Sequence, residues 1–161
     1  MTGKTHIAGG LSACLLVDTV LTTYTGSPLF YLAGIGGSLL PDICHRRSKI
    51  GRRIPILSYF VSMLFGHRTL THSLLFVALL TLFVHIVFPQ AMLIRDGLLV
   101  GLLSHIVLDM ATTRGVQLFY PFSVKIRLPL YTKTGGVVES AIFLGFCAYI
   151  LIVISGTGGK L

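Results

Sequence analysis

Charged side chains are scarce in this chain, at 11% of 161 residues, and cysteines are scarcer, at three. A soluble domain of ordinary usage carries about 25% charged residues. That shortage, with 53% hydrophobic residues and a mean hydropathy of +0.86, excludes a typical water-soluble domain. The composition is that of a membrane protein, read as one domain over residues 1–161. Cys14, Cys44 and Cys147 are too few and too scattered for a disulfide framework, so free thiols are expected. Leu11-Ser12-Ala13-Cys14 resembles a lipoprotein cleavage box, but the apolar stretch before it is too short for a signal core, and the N-terminus is expected to be retained. Acids are few as well, five against 13 Lys and Arg, leaving a net charge of +8. No nucleic-acid-binding motif accompanies that excess, and the cations are interleaved with apolar runs. Loops facing an anionic lipid leaflet explain it better than a nucleic-acid partner.

Apolar runs cover about 6–23, 29–41, 70–88, 92–110 and 138–155, with a shorter one near 54–65. A bilayer core needs about 20 helical residues, so five of these runs read as spans, the second borrowing flanking residues. The 54–65 piece reads as interfacial or re-entrant. The expected fold is therefore all-α, a polytopic membrane bundle of about five transmembrane helices plus that short helix. Thr25-Gly26-Ser27-Pro28, Pro41 and Pro89 punctuate the runs, and short turns make successive helices antiparallel neighbours. Gly34, Gly36 and Gly37 could allow close helix contact, but ordinary packing is the preferred reading, because glycine is common in such helices. There is no internal repeat. Arg46, Arg47, Lys49, Arg52, Arg53 and Arg68 lie between the second and third spans, and Arg114, Lys125, Arg127 and Lys133 between the fourth and fifth. The excess of cations on those loops places both in the cytoplasm, with the N-terminus inside and the C-terminus outside.

An antiparallel bundle with that topology gathers the chemistry-bearing residues on one side. His6 opens the first span, Asp42 and His45 follow the second, and His67 and His72 begin the third. His105 and Asp109 close the fourth, and Glu139 opens the fifth. Ionisable groups beside a bilayer-length run are costly and mark functional sites by default. His105 and Asp109 are four residues apart and share one helix face. His67 and His72, five apart, do not align on a helix, which predicts His67 in the preceding turn and His72 in the first helical turns. Mixed imidazole and carboxylate ligation suits Zn, Mn or Fe, and this many candidate ligands suits two or more ions. His85, alone on the opposite side, reads as a solvated side chain, and Asp18 and Asp96 as helix-end or packing residues. Arg68 beside the histidines is suited to a phosphate or carboxylate, although plain loop topology also accounts for it. Ser73 and Ser104 flank the candidate ligands and are expected to hydrogen-bond them. The stretch from Thr112 to Ser123 reads as an interfacial loop over the site, with Arg127 beyond it.

These motifs, Thr5-His6, Leu40-Pro41-Asp42, Gly66-His67-Arg68, Thr71-His72-Ser73, Ser104-His105 with Asp109, Gly115 to Ser123 and Arg127-Leu128-Pro129, span about four-fifths of the chain. In kind and order they resemble the YdjM-type family of bacterial inner-membrane proteins, regarded as metal-dependent hydrolases. The resemblance implies a multi-pass inner-membrane enzyme. One departure is evident: the family pattern Pro-Asp-x-Asp-His reads here as Pro41-Asp42-Ile43-Cys44-His45, so a thiol replaces a carboxylate. A thiolate would disfavour Mg. In ligand style the pattern is similar to zinc-dependent phospholipase C and related helical nucleases.

The expected activity is hydrolysis of a lipid or lipid-linked phosphoester at the cytoplasmic leaflet by metal-activated water. His6, Asp42, His45, His67, His72, His105, Asp109 and Glu139 are the candidate ligands. Asp42 or Glu139 would serve as general base, and Arg68 with Arg127 would offset phosphoryl charge. The rival class, transport or sensing of a divalent ion, predicts a site nearer the bilayer midplane. A purely structural role leaves eight convergent groups without a purpose.

Overall fold

The computed structural model describes residues 1–24, 26–44 and 69–157, without the side chains of residues 43 and 44. The expectations for His45, His67, Arg68, the Cys44 thiol and the 54–65 segment lie outside the described residues. Within them the chain is all-helical, with five α-helices and no named strand. These are α1 Gly3–Leu21, α2 Pro28–Gly37, α3 Leu74–Val87, α4 Met92–Met110 and α5 Val137–Thr157, with 3-10 turns at Leu40–Cys44 and Leu70–His72.

Local chemistry sets the boundaries. Helix α1 ends where Thr22 turns left-handed at φ 51° and its N–H returns to Asp18 O. Pro28 opens α2 at a position where the missing N–H has no helical partner. Ser73 holds an extended backbone and its Oγ accepts from Phe76 N at 3.2 Å, a side-chain cap on α3. That cap corrects two expectations: His72 lies in the 3-10 turn before the helix, and Ser73 serves the helix start. Ser73→Ala is expected to cost about 1 kcal/mol, read as a lower midpoint of thermal unfolding in detergent.

Helix α4 is the hub, packing on α2, α1 and α3, while α5 leans on α1. The α2–α4 seam is built on glycines: a Cβ on Gly101 would run into the carbonyl oxygen of Gly34, and one on Gly37 into that of Leu98. Backbone meets backbone here, so close glycine contact replaces the ordinary packing preferred from sequence. Gly36 faces open space and takes no part. Val77, Leu102, Ile106 and Val116 form the apolar core beside this seam.

The outer faces remain apolar. Leu79, Leu82, Phe83 and Ile86 on α3 and Leu144, Leu151, Ile152 and Ile154 on α5 are all more than half exposed, a surface that water does not tolerate and lipid does. By length and composition one described helix, Val137–Gly156, can cross a membrane, and Leu74–Val87 is a shorter apolar helix. At one end of the bundle Asp18 accepts from Tyr24 N at 3.0 Å, Gly26 N at 2.8 Å and the Tyr31 hydroxyl at 2.5 Å. Arg95 pairs with Asp96 at 2.7 Å and reaches His85 Nδ1 at 3.0 Å. Asp18, Asp96 and His85 thus hold the turns at that end, and burial followed by the Asp96 charge raises the Tyr24 hydroxyl pKa.

Candidate metal centre

At the other end three elements meet. Helix α1 supplies His6, the turn before α3 supplies His72, and the last turns of α4 supply His105 and Asp109; all four are fully buried. The i, i+4 spacing brings His105 Nε2 to 3.7 Å from Asp109 Oδ2. His72 Nε2 stands 3.4 Å from the same oxygen, and His6 Nε2 stands 3.3 Å from Oδ1. The Nε2 atoms of His72 and His105 face each other at 3.2 Å. The His6 ring stacks on that of His105, centroids 3.7 Å apart. Met1's buried ammonium also pairs with Asp109.

These residues fit a metal ion on two grounds. Two ligands on one tetrahedral zinc stand about 3.3 Å apart, from a bond of about 2.0 Å, and the four separations above fall around that length. Both ring nitrogens of buried His6 complete no hydrogen bond, a costly state in an apolar interior. Two overlapping ligand triads result, His72 with His105 and Asp109, and His6 with Asp42 and His105, each with its ligand atoms within 4.8 Å of one another.

The rings are oriented from behind. His105 Nδ1 lies 2.6 Å from the Ser38 carbonyl oxygen, so Nδ1 carries the proton and donates it, leaving Nε2 as a lone pair aimed at the cluster. Thr71 Oγ1 lies 3.0 Å from His72 Nδ1 and steadies that ring. The glycine seam is what brings Ser38 to α4. Sequence reasoning passed over both partners: a backbone carbonyl carries no residue signal, and Thr71 is marked only by its place beside His72.

Glu139 stands apart from both triads. Its Oε1 accepts from Thr2 N at 2.6 Å, Thr2 Oγ1 at 2.8 Å and Thr5 Oγ1 at 2.7 Å, and its Oε2 from Gly135 N at 2.6 Å. It ties the start of α1 to the start of α5. Asp42, in the 3-10 turn after α2, is half-buried beside His6 and His105. Arg127 belongs to the loop layer that follows α4. It lines a recess in the 112–132 loop layer, donating to Thr113 O at 3.3 Å and lying over the Tyr131 ring at 4.2 Å.

The chain matches the YdjM inner membrane protein family over residues 1–159. It is similar to the uncharacterised protein YvsG of Bacillus subtilis, 44% identical over 162 residues covering 97% of this chain and 98% of that protein. It is also similar to the inner membrane protein YdjM of Escherichia coli, 39% identical over 102 residues covering 61% of this chain and 52% of that one. The same figures hold for YdjM of Shigella flexneri, so the match takes in about half the length of these two relatives. No solved structure matches. With a buried His and Asp cluster at one end of an apolar helical bundle, and with this agreement along nearly its whole length, the chain belongs to the YdjM family of inner membrane proteins.

Proposed function

We propose that this protein is a multi-pass, metal-dependent hydrolase of the bacterial inner membrane that cleaves a lipid or lipid-linked phosphoester, with its site and N-terminus facing the cytoplasm. The observation that carries the reading is the set of three imidazole nitrogens and one carboxylate, buried together at 3.2 to 3.7 Å at the helix ends. Imidazoles with carboxylates favour zinc over magnesium, and two overlapping triads favour more than one ion. Zinc held there would supply a Lewis acid for phosphoryl oxygens and lower the pKa of a water nucleophile.

The chain's own residues do the rest. Asp42, half-buried at the edge of the cluster, is the carboxylate placed to take a proton from the attacking water, or to serve as a ligand of the second triad. Glu139, with four donors on its oxygens, is suited to holding the N-terminal turn of α1 over the site. The Ser38 contact fixes the His105 tautomer, and the Thr71 contact holds the His72 ring, before substrate arrives. Arg68 is assigned to charge on the phosphoryl group, whereas Arg127 lines a separate recess in the loop layer. Exposed apolar faces on α3 and α5 favour a substrate that arrives through the bilayer.

The test is purified full chain in detergent, analysed for metal and assayed on phospholipid phosphoesters before and after chelation, beside His105→Ala. Bound zinc, activity lost in chelator and restored by zinc, and an inactive variant are expected. Protein that holds no metal would sink the site. Tight metal without turnover, but with metal flux into vesicles, would transfer the same ligands to a transport role.

A further inference from the structure

Every side-chain carboxylate in this protein is engaged away from the 112–132 loop layer. Asp18 holds the α1–α2 turn, Asp96 pairs with Arg95, Asp109 and Asp42 belong to the histidine cluster, and Glu139 binds Thr2, Thr5 and Gly135. No other Asp or Glu exists in the 161 residues, and residues 45–68 add cations but no acid. Arg114, Lys125 and Arg127 nevertheless converge on one recess of about 860 Å³, with Thr69, Thr113 and Gln117 around them. Three cations around a concavity repel one another, and this chain has no acidic side chain to separate them.

The backbone builds the arrangement. Val116 and Ile126 form an antiparallel bridge, Val116 N to Ile126 O at 3.0 Å and Ile126 N to Val116 O at 2.8 Å. Val116 is buried in the core, so by the alternation of extended chain its flanking positions face the other way. Gln117 then lies opposite Lys125, and Gly115 opposite Arg127. Gly115 adopts φ +61°, and a Cβ there would come 2.7 Å from Ile126 O, so the crossing needs glycine. Arg127 is held in place by the Thr113 carbonyl and the Tyr131 ring, which engage one of its five N–H donors and one face.

We propose that this recess is an anion site, distinct from the histidine cluster, that binds a phosphate-bearing group of more than one negative charge. Guanidinium forks, an ammonium, two hydroxyls and an amide match the oxygens of a phosphate. The volume accommodates a group larger than inorganic phosphate. A phospholipid headgroup and a soluble phosphate share that chemistry. The site stands whether or not the cluster hydrolyses anything, because its readout is binding.

The experiment uses the purified full chain and a matched pair of variants. Lys125→Ala removes a cation from the recess; Lys133→Ala removes one from the same loop outside it, at identical cost in net charge. Both lysines are exposed, so neither change threatens folding. Binding of inorganic pyrophosphate is measured by calorimetry in detergent, and binding of phosphatidic acid in phosphatidylcholine nanodiscs. Lys125→Ala is expected to weaken binding about tenfold, the worth of a charged hydrogen bond, with Lys133→Ala matching wild type. Binding in the pyrophosphate arm assigns a soluble phosphate, and binding in the nanodisc arm alone assigns a headgroup. Equal losses in the two variants, or no binding in either arm, would overturn the site.

Discussion

Asp109→Asn is expected to empty the metal centre and to lower phosphoester hydrolysis by about a thousandfold or more, the several kcal/mol of transition-state stabilisation that a metal contributes. Asp109 is the hub of the cluster, its two oxygens lying within 3.3 to 3.7 Å of His6, His72 and His105. Asparagine preserves shape and helix, so the substitution isolates charge and ligation from packing. The measurement is metal content by mass spectrometry and turnover on the same sample, with circular dichroism to show that the helices persist. A variant that retains both zinc and turnover would remove Asp109 from the site.

Gly101→Leu should produce the largest loss of stability in the protein, more than about 3 kcal/mol, because overpacking here meets main chain and cannot be relieved by a rotamer change. The obstacle is the Gly34 carbonyl across the α2–α4 seam. Gly36→Leu is the matched control: the same residue change on α2, with nothing within 4 Å of its Cβ, expected to shift stability by less than about 0.5 kcal/mol. Thermal unfolding in detergent reads both. A milder change, Gly101→Ala, tests the link to chemistry. Prising the helices apart would draw the Ser38 carbonyl away from His105 Nδ1, and loss of such an orienting contact weakens metal binding by about tenfold or more.

How far the site could be read from sequence depended on the range of the interactions involved. His105 and Asp109 were legible, because a four-residue spacing on a helix fixes two side chains on one face whatever the tertiary fold. His6 was legible as a costly residue at a helix start. His72 was placed one element too far along: Ser73 before an apolar run is an N-cap signal, and weighing it would have started the helix at Leu74. Glu139 shows the opposite limit. Its position at the start of an apolar run made it look like a ligand, and no local pattern could say that Thr2 and Thr5, more than 130 residues away, use its oxygens. The glycine seam was half visible. Gly34 and Gly37 stand out within their apolar run, but Gly97 and Gly101 across from them give the pattern its meaning. The bundle itself was legible from the apolar runs, and all-α architecture is what the described residues adopt.

The two polar ends of the bundle are close together. Helix α1 carries His6 in the histidine cluster and Asp18 in the opposite network, twelve residues apart, or about 18 Å along its axis. A bilayer's hydrocarbon is about 30 Å thick. Both groups are buried inside the bundle, so in the proposed orientation they cannot both lie at the level of the headgroups, and the histidine cluster can sit below the headgroup plane while the 20-residue Val137–Gly156 stretch spans the hydrocarbon. At that depth the proposed phospholipid substrate would meet the ligands through its ester linkage, whereas a soluble phosphoester would have to descend past the interface to reach them.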